Sequence, residues 1–293
     1  MAHLPVLLNE VLATLKPTAG ETVLDGTVGS GGHALAIGKQ LGSTGLLIGL
    51  DQDAEAILKA TETLKSLSCQ VRLIKSNFRH LAKIIAEQKL LPLDGLLLDL
   101  GIHSDQLASS GRGFSFQRDE PLDMRMGAEA VVTAAEVVND WSEASLTDIL
   151  LGFGEERHAK AIAKAIVTER KYRPFETTFD LIEVIKQAVP EGYTKRRLHF
   201  ATKTFQAIRM AVNEELQALD EVMPQALTAL ASGGRLAIIT FHSGEARIIK
   251  RHFRGWRAEG LGEVGKKALK PTRAEVLTNP RSRSATLRHF VKN

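Results

Sequence analysis

Four short strand-like runs occur in the first hundred residues, the fourth apolar on both sides of the chain, and helical spacing follows the first three of them. The strand-like runs are 21–27 (ETVLDGT), 45–51 (GLLIGLD), 70–76 (QVRLIKS) and 93–101 (LDGLLLDLG); the helical segments are 32–41, 54–67 and 78–90. A strand that is apolar on both sides needs cover on both faces, which a parallel sheet flanked by helices supplies. The alternation therefore predicts an α/β, doubly wound fold. Later in the chain, 233–241 (GGRLAIITF) reads as a fifth strand and 245–254 as the helix after it. Residues 274–278 (AEVLT) and 284–292 (SATLRHFVK) read as a terminal pair of strands.

The rhythm breaks after Gly101. From about Ser104 to Phe200 there is no run with the character of a buried strand, only a Gly-rich polar loop (109–126) and helical segments at 134–140, 142–153, 155–171 and 177–189. Pro174, Pro190 and Gly192 punctuate them. A long helix is expected from about Ala207 to Ala231, adjusted at Pro224. The organisation predicted is one discontinuous α/β domain, 1–104 with 206–293, interrupted by a helical insert at 105–205. Charge follows this division. Acids outnumber bases between Asp105 and Asp148, whereas Lys195, Arg196, Arg197, Lys203 and Arg209, and later Arg281, Arg283, Arg288 and Lys292, make the C-terminal third basic. An acidic insert beside a basic third points to a polarised surface.

Several function classes drop out on composition. Hydrophobic residues are 44% and charged residues 25% of the 293, the balance of a globular enzyme with a sizeable core. The single cysteine, Cys69, can neither close a disulfide within the chain nor build a cysteine metal centre, and the histidines show no metal-ligand spacing, so no metal is expected. The N-terminal MAHLPVLLNEVLATL lacks the basic region and cleavage site of a signal peptide, and no apolar run approaches membrane-spanning length. A cytoplasmic location with no membrane partner is the expectation. The net charge of +4 permits a polyanionic partner without requiring one.

The loop Asp25-Gly-Thr-Val-Gly-Ser-Gly-Gly-His33 joins the first strand to the first helix. Gly29, Gly31 and Ala34 fit the G-x-G-x-x-[G/A] spacing of Rossmann-like sites, where a ligand approaches the backbone closely at a helix N-terminus. About twenty residues on, Asp51 ends the second strand, where a ribose hydroxyl would be held. The pattern indicates an adenosine-type cofactor and leaves NAD and S-adenosylmethionine (AdoMet) both open. Asp25 leans towards AdoMet, because a carboxylate there repels a pyrophosphate and accepts bonds from a cationic amino-acid end; alternatively it turns away and caps the loop. Asp99-Leu-Gly-Ile-His-Ser-Asp-Gln106 follows the fourth strand, near the switch point where such sheets bind ligands. Asp99 stands where a side chain can reach both cofactor and acceptor, or else caps a turn; His103 reads as an exposed loop residue rather than a base.

With these residues in view, the chain resembles the bacterial 16S ribosomal RNA cytosine-N4 methyltransferases, the MraW or RsmH family. The resemblance runs from His3-Leu-Pro-Val-Leu-Leu-Asn-Glu10 to Asn279-Pro-Arg-Ser-Arg-Ser284 and takes in Asp25-Gly-Thr, Gly31-Gly-His33, Asp99-Leu-Gly and Gln106. It also includes Arg112-Gly-Phe-Ser-Phe116, Pro121-Leu-Asp-Met-Arg-Met126, Gly154-Glu-Glu-Arg157, Thr204-Phe-Gln-Ala207 and Phe241-His-Ser243. It implies an AdoMet-dependent methyltransferase fold with the insert as a substrate-recognition domain. It also implies methylation of the N4 amine of a cytosine in the decoding region of 16S rRNA, within the small ribosomal subunit. AdoMet would then contact Gly31, Gly32 and His33 through the backbone, Asp51 through its ribose, Phe78 beside the adenine, and Asp99 and Gln106 near the sulfonium. Two blocks depart from the family: His103-Ser104-Asp105 stands where Ser-Ser-Pro is usual, and Gly244-Glu245-Ala246-Arg247 where Leu-Glu-Asp-Arg is usual. The first lies beside the acceptor pocket and affects how the base would be positioned.

The cytosine N4 lone pair is conjugated with its ring, so a methyltransferase acting there must flip the base, align it and accept a hydrogen bond from the amine. Asp99 is the candidate acceptor. The chain lacks the Asn/Asp-Pro-Pro-aromatic motif many amino-methyltransferases carry at this place. Lys195, Arg196, Arg197, Lys203, Arg281 and Arg283 are candidates for RNA phosphates, and His242 and Ser243 for the acceptor pocket, with turn capping as their plainer role. Phe114 and Phe116 would stack on a base or pack inward. Two other function classes remain in view: a nicotinamide oxidoreductase, which leaves the basic tail unexplained, and a non-catalytic RNA-binding assembly factor on the same fold. The insert also offers a surface for a homodimer.

Overall fold

The computed structural model describes residues 4–90, 92–102 and 111–293. The chain divides into two compact units, 1–101 with 216–293 and 102–215. In chain order the first unit holds α1 (Leu8–Leu15), β1 (Thr22–Asp25), α2 (Gly32–Leu41), β2 (Leu46–Asp51), α3 (Ala54–Leu64), β3 (Gln70–Lys75), α4 (Leu81–Gln88) and β4 (Leu93–Asp99). The second carries α5 (Ala134–Asp140), α6 (Glu143–Gly152), α7 (Ala159–Glu169), α8 (Thr178–Ala188), α9 (Glu191–Thr194) and α10 (Thr202–Val212). The first unit resumes with α11 (Glu215–Ala229), β5 (Leu230–Thr240), α12 (Ser243–Ala258), β6 (Gly262–Val264), α13 (Arg273–Thr278) and β7 (Thr286–Lys292).

The sheet order is β3-β2-β1-β4-β5-β7-β6, with β1 to β5 parallel and β7 antiparallel to both neighbours. Side chains alternate between two cores, as the two-sided apolar runs require. Leu24, Ile48, Leu50, Leu96, Leu98, Leu236 and Ile238 face α4, α11 and α12. Val23, Leu47, Leu97, Ala237 and Ile239 face α1, α2 and α3. After β3 the chain returns past β1 to start β4, so the switch point lies between β1 and β4, where ligands bind beyond the strands' carboxyl ends. The doubly wound expectation holds: a mainly parallel sheet covered by helices on both faces.

Three expectations fail locally. The expected 207–231 helix is two helices, broken not at Pro224, which lies inside α11, but at Asn213-Glu214, where Glu214 takes a left-handed φ of 49°. Asn213 explains the break: it is buried, accepts from the Met126 N–H at 2.8 Å and donates to the Met124 carbonyl at 2.7 Å, bonds that a continuing helix would misdirect. Phe205, Ala207, Ile208 and Val212 of α10 are packed in the helical core, so the helical unit extends to Glu215, past the expected 205. The AEVLT segment is helix α13 and not a strand. Thr272 caps it by accepting from the Glu275 N–H, and the Glu275 carboxylate takes the Leu7 N–H at 2.8 Å. The partner of β7 is instead β6, with β5 on its other side.

The helical unit has its own core, including Phe114, Met124, Val137, Leu150, Ile162, Phe175 and Ile185. Phe114 packs inward there, as does the partly buried Phe116. Within it Glu156 is fully buried and accepts hydrogen bonds from the Tyr193 hydroxyl at 2.6 Å and the His158 N–H at 2.8 Å. Burial, and then the adjoining carboxylate, push the Tyr193 hydroxyl up to about 12, so it stays a donor. Replacing Tyr193 by Phe leaves that buried carboxylate short of a donor. The variant should lose about 1–3 kcal/mol, seen as a lower urea midpoint when unfolding is followed at Trp141, the tryptophan of this unit.

Candidate active site

The loop after β1 is shaped by backbone constraints that side chains other than glycine's would resist. Gly29 and Gly31 have φ of 52° and 90°, in the left-handed region. A Cβ on Gly32 would come within 2.6 Å of the Pro5 ring. Gly31 is the N-cap of α2, so the N–H groups of Gly32 and His33 open the helix, where such donors lack intrahelical partners. The loop is therefore a turn into a helix N-terminus in which the Gly31 N–H is spent on the Val28 carbonyl at 2.8 Å.

Three carboxylates stand at the carboxyl ends of adjacent parallel strands: Asp25 on β1, Asp51 on β2 and Asp99 on β4. Asp51 is buried; its Oδ2 accepts the Gly29 N–H at 3.0 Å and its Oδ1 the Asp53 N–H at 2.9 Å. It thus ties the glycine loop to β2 at the strand end where a ribose hydroxyl would be held. Asp25 turns into its own loop and caps it, its Oδ1 accepting the Thr27 N–H at 3.1 Å and lying 3.4 Å from the Thr27 hydroxyl. That hydroxyl accepts the Asp99 N–H at 2.7 Å. The side chain of Asp99 is 15% exposed, and its Oδ2 lies 3.6 Å from Nδ1 of His33. The His33 Nε2 is 2.8 Å from the Val6 carbonyl; a carbonyl only accepts, so Nε2 carries the proton and Nδ1 is the atom turned to Asp99.

Phe78 opens the 3-10 turn after β3 and is half-buried against the sheet core. Beside it Asn77 donates to Gln52 at 3.0 Å, linking the loops that follow β2 and β3. Gln106 and the departing His103-Ser104-Asp105 lie outside the described residues. The sheet unit thus brings Asp25, Gly29, Gly31, Gly32, His33, Asp51, Phe78 and Asp99 to its switch-point edge. Sequence reasoning missed Thr27, the Gln52–Asn77 pair, and the His33 side chain. Only Thr27 carried a signal, as the one polar β-branched residue in a loop otherwise built of small residues.

The residues fit a cationic cofactor. The Asp51 and Asp99 carboxylates beside the glycine loop oppose a dinucleotide pyrophosphate and favour an ammonium and a sulfonium, whereas Asp25, expected to face the cationic end, caps its own loop instead. Gly31, Gly32 and His33 would hold the amino-acid end and Asp51 the ribose.

The basic candidates fall in both units. In the helical unit Lys195 pairs with Glu191 at 2.5 Å, and the Arg196 guanidinium lies 5.2 Å from the Tyr193 ring centroid, with Arg157 at 4.7 Å from the same ring. Arg197 is exposed, and the Lys203 ammonium donates to the Glu155 carbonyl at 2.7 Å. In the sheet unit Arg281 and Arg283 are exposed either side of the fully buried Ser282. His242 is the N-cap of α12 and Ser243 its first residue; Nδ1 of His242 accepts the Glu245 N–H, while the Glu245 carboxylate takes the Phe241 N–H at 2.7 Å.

Asp51 offers a test of the cup. In Asp51→Asn one acceptor becomes an NH2 donor facing a backbone N–H. AdoMet affinity measured by calorimetry should fall about 10- to 100-fold, the worth of one hydrogen bond to a charged group, with the far-ultraviolet spectrum unchanged.

Comparison with known proteins identifies the family of the chain. The description "MraW methylase family" matches residues 1–293. The chain is 44% identical to the "Ribosomal RNA small subunit methyltransferase H" of Heliobacterium modesticaldum, over 99% of this chain and 98% of that protein. It is 46% identical to the protein of the same name from Geotalea daltonii, again over 99% and 98%. The relative from Symbiobacterium thermophilum is 44% identical over 99% of this chain and 96% of its own length. The chain belongs to the MraW methylase family and is a methyltransferase that uses S-adenosyl-L-methionine.

Proposed function

We propose that this enzyme methylates the exocyclic N4 amine of a cytosine in the decoding region of 16S rRNA, acting in the cytoplasm on the small ribosomal subunit. The observation that carries the reading is the place of Asp99. Its carboxylate ends β4 at the switch point, with its backbone held by Thr27 and its Oδ2 beside His33. The relatives named for small-subunit rRNA methylation support the substrate class.

When bound, AdoMet supplies a methyl group already activated on a sulfonium. The chain's task is the acceptor. An amine conjugated with its ring attacks only if it is aligned and its electron density raised, and a carboxylate accepting from an N4 hydrogen does both. Asp99 is the group we assign to that bond. As the nitrogen becomes tetrahedral its proton turns acidic, and Asp99 or water takes it, so no strong base is needed. The Thr27 hydroxyl fixes the Asp99 backbone, which spares reorganisation during the reaction.

The test combines labelled AdoMet with small subunits from cells lacking this modification, followed by nucleoside mass analysis. The product expected is N4-methylcytidine in 16S rRNA; transfer to another atom or another RNA overturns the assignment. In the same assay Asp99→Asn should lower kcat about 10²- to 10⁴-fold, the usual span for such a group, with AdoMet affinity retained. Near-normal turnover by that variant would show that Asp99 is not the acceptor.

A further inference from the structure

We infer that the outward face of α12 is an RNA-binding surface that tracks the phosphate backbone beside the modified nucleotide; the inference rests on the RNA-substrate reading above. The helix buries Glu245, Ile249, Phe253 and Trp256, spaced four, four and three, against the sheet unit. The opposite stripe consists of Arg247, Lys250, Arg254 and Arg257, spaced three, four and three, all exposed. Arg251 flanks them and is neutralised by Asp220, which also accepts from His252 at 2.6 Å. Among the described residues no carboxylate pairs with Arg247, Lys250, Arg254 or Arg257. The only acid within α12 is Glu245, on the buried side and engaged in capping.

That arrangement has no internal explanation. Like charges three and four apart on a helix repel. The macrodipole favours cations in the last turn, which accounts for Arg257 and not for Arg247 near the positive end. Four uncompensated cations over about 15 Å of helix make a linear positive field, and a polyphosphate is the complementary partner. The stripe's direction fits the site. Strand β5 runs parallel to β4 with Ile239 opposite Asp99, so α12 starts at the same edge as the Asp99 carboxylate and carries the stripe away from it. RNA flanking a base delivered to that edge has a basic track to lie along. An anionic membrane is the weaker partner, because the apolar side of α12 is already spent on the core and none is left to enter a bilayer.

The experiment replaces Arg247, Lys250, Arg254 and Arg257 together by Gln, with Lys39, Lys65, Lys83 and Lys89 to Gln as a control of equal charge change. Binding to 16S rRNA transcript and to purified small subunits is measured against salt. The α12 variant should lower the slope of log affinity against log salt by about three, the counterion release of four lost contacts, while the control leaves it unchanged. AdoMet affinity reports that the α12 variant is folded, and Arg247→Lys with Arg254→Lys and Arg257→Lys should keep the full slope. An unchanged slope, equal losses in both sets, or binding to phosphatidylserine vesicles that outlasts RNA binding overturns the inference. Wild-type methyl transfer separates the two readings. Transfer with an unchanged slope sinks the α12 surface alone, and a reduced slope without transfer sinks the N4 assignment alone.

Discussion

The hydroxyl of Thr27 accepts the Asp99 N–H and lies against the Asp25 carboxylate, and the candidate site is organised around that bridge. Parallel strands end in N–H and C=O groups that the sheet no longer satisfies, and each must find a partner or face water. Here the end of β4 is satisfied by a side chain from the loop after β1, across the switch point. The same bridge draws Asp25 into its loop, so one hydroxyl sets the loop's shape and the bearing of Asp99. Asp51 does the matching work on the other flank through the Gly29 and Asp53 N–H groups. The left-handed glycines are consequences: the loop has to turn sharply to meet both anchors, and Gly29 and Gly31 allow it.

Much of this was legible in the sequence, because central strands such as β4, covered on both faces, are apolar along most of their length and parallel pairing then follows. The positions of Asp25, Asp51 and Asp99 could be read from the strand ends alone. What could not be read depended on partners far along the chain. His33 stood out as part of a glycine loop, yet its imidazole is fixed by the Val6 carbonyl and faces Asp99. Periodicity allowed one helix through 207–231, and only the tertiary bonds of Asn213 to Met124 and Met126 decide that it breaks there. AEVLT has the apolar content of a strand, but Thr272 and Glu275 form a local N-terminal signature whose weight was missed, and the Leu7 N–H completes it.

The helical unit depends on a different device. Two of its buried polar residues are held by several bonds each: Glu156 by Tyr193 and His158, and Asn213 by the backbone of Met124 and Met126. A buried carboxylate without donors would be costly, so the loop at 154–158 and helix α9 specify each other through that acid. The rings and guanidiniums around Tyr193 follow from it, since Arg157 and Arg196 lie over the ring that carries the donor. Those two cations are therefore held in position by the ring they cover.

Charge is sorted within the sheet unit by what each surface must bind. The cup at the strand ends gathers carboxylates, because its cofactor carries positive charge on both ammonium and sulfonium. The outer stripe of α12 gathers cations, because its partner carries one negative charge per nucleotide. The two fields would defeat one another if they overlapped: a basic cup would repel the sulfonium, and an acidic helix would repel the RNA. The fold separates them by direction, the stripe running away from the strand ends along the outside of α12, with the buried Glu245 turned to the capping of the helix. A doubly wound sheet suits this division, since its strand ends converge on one edge while its helices face outward along the flanks.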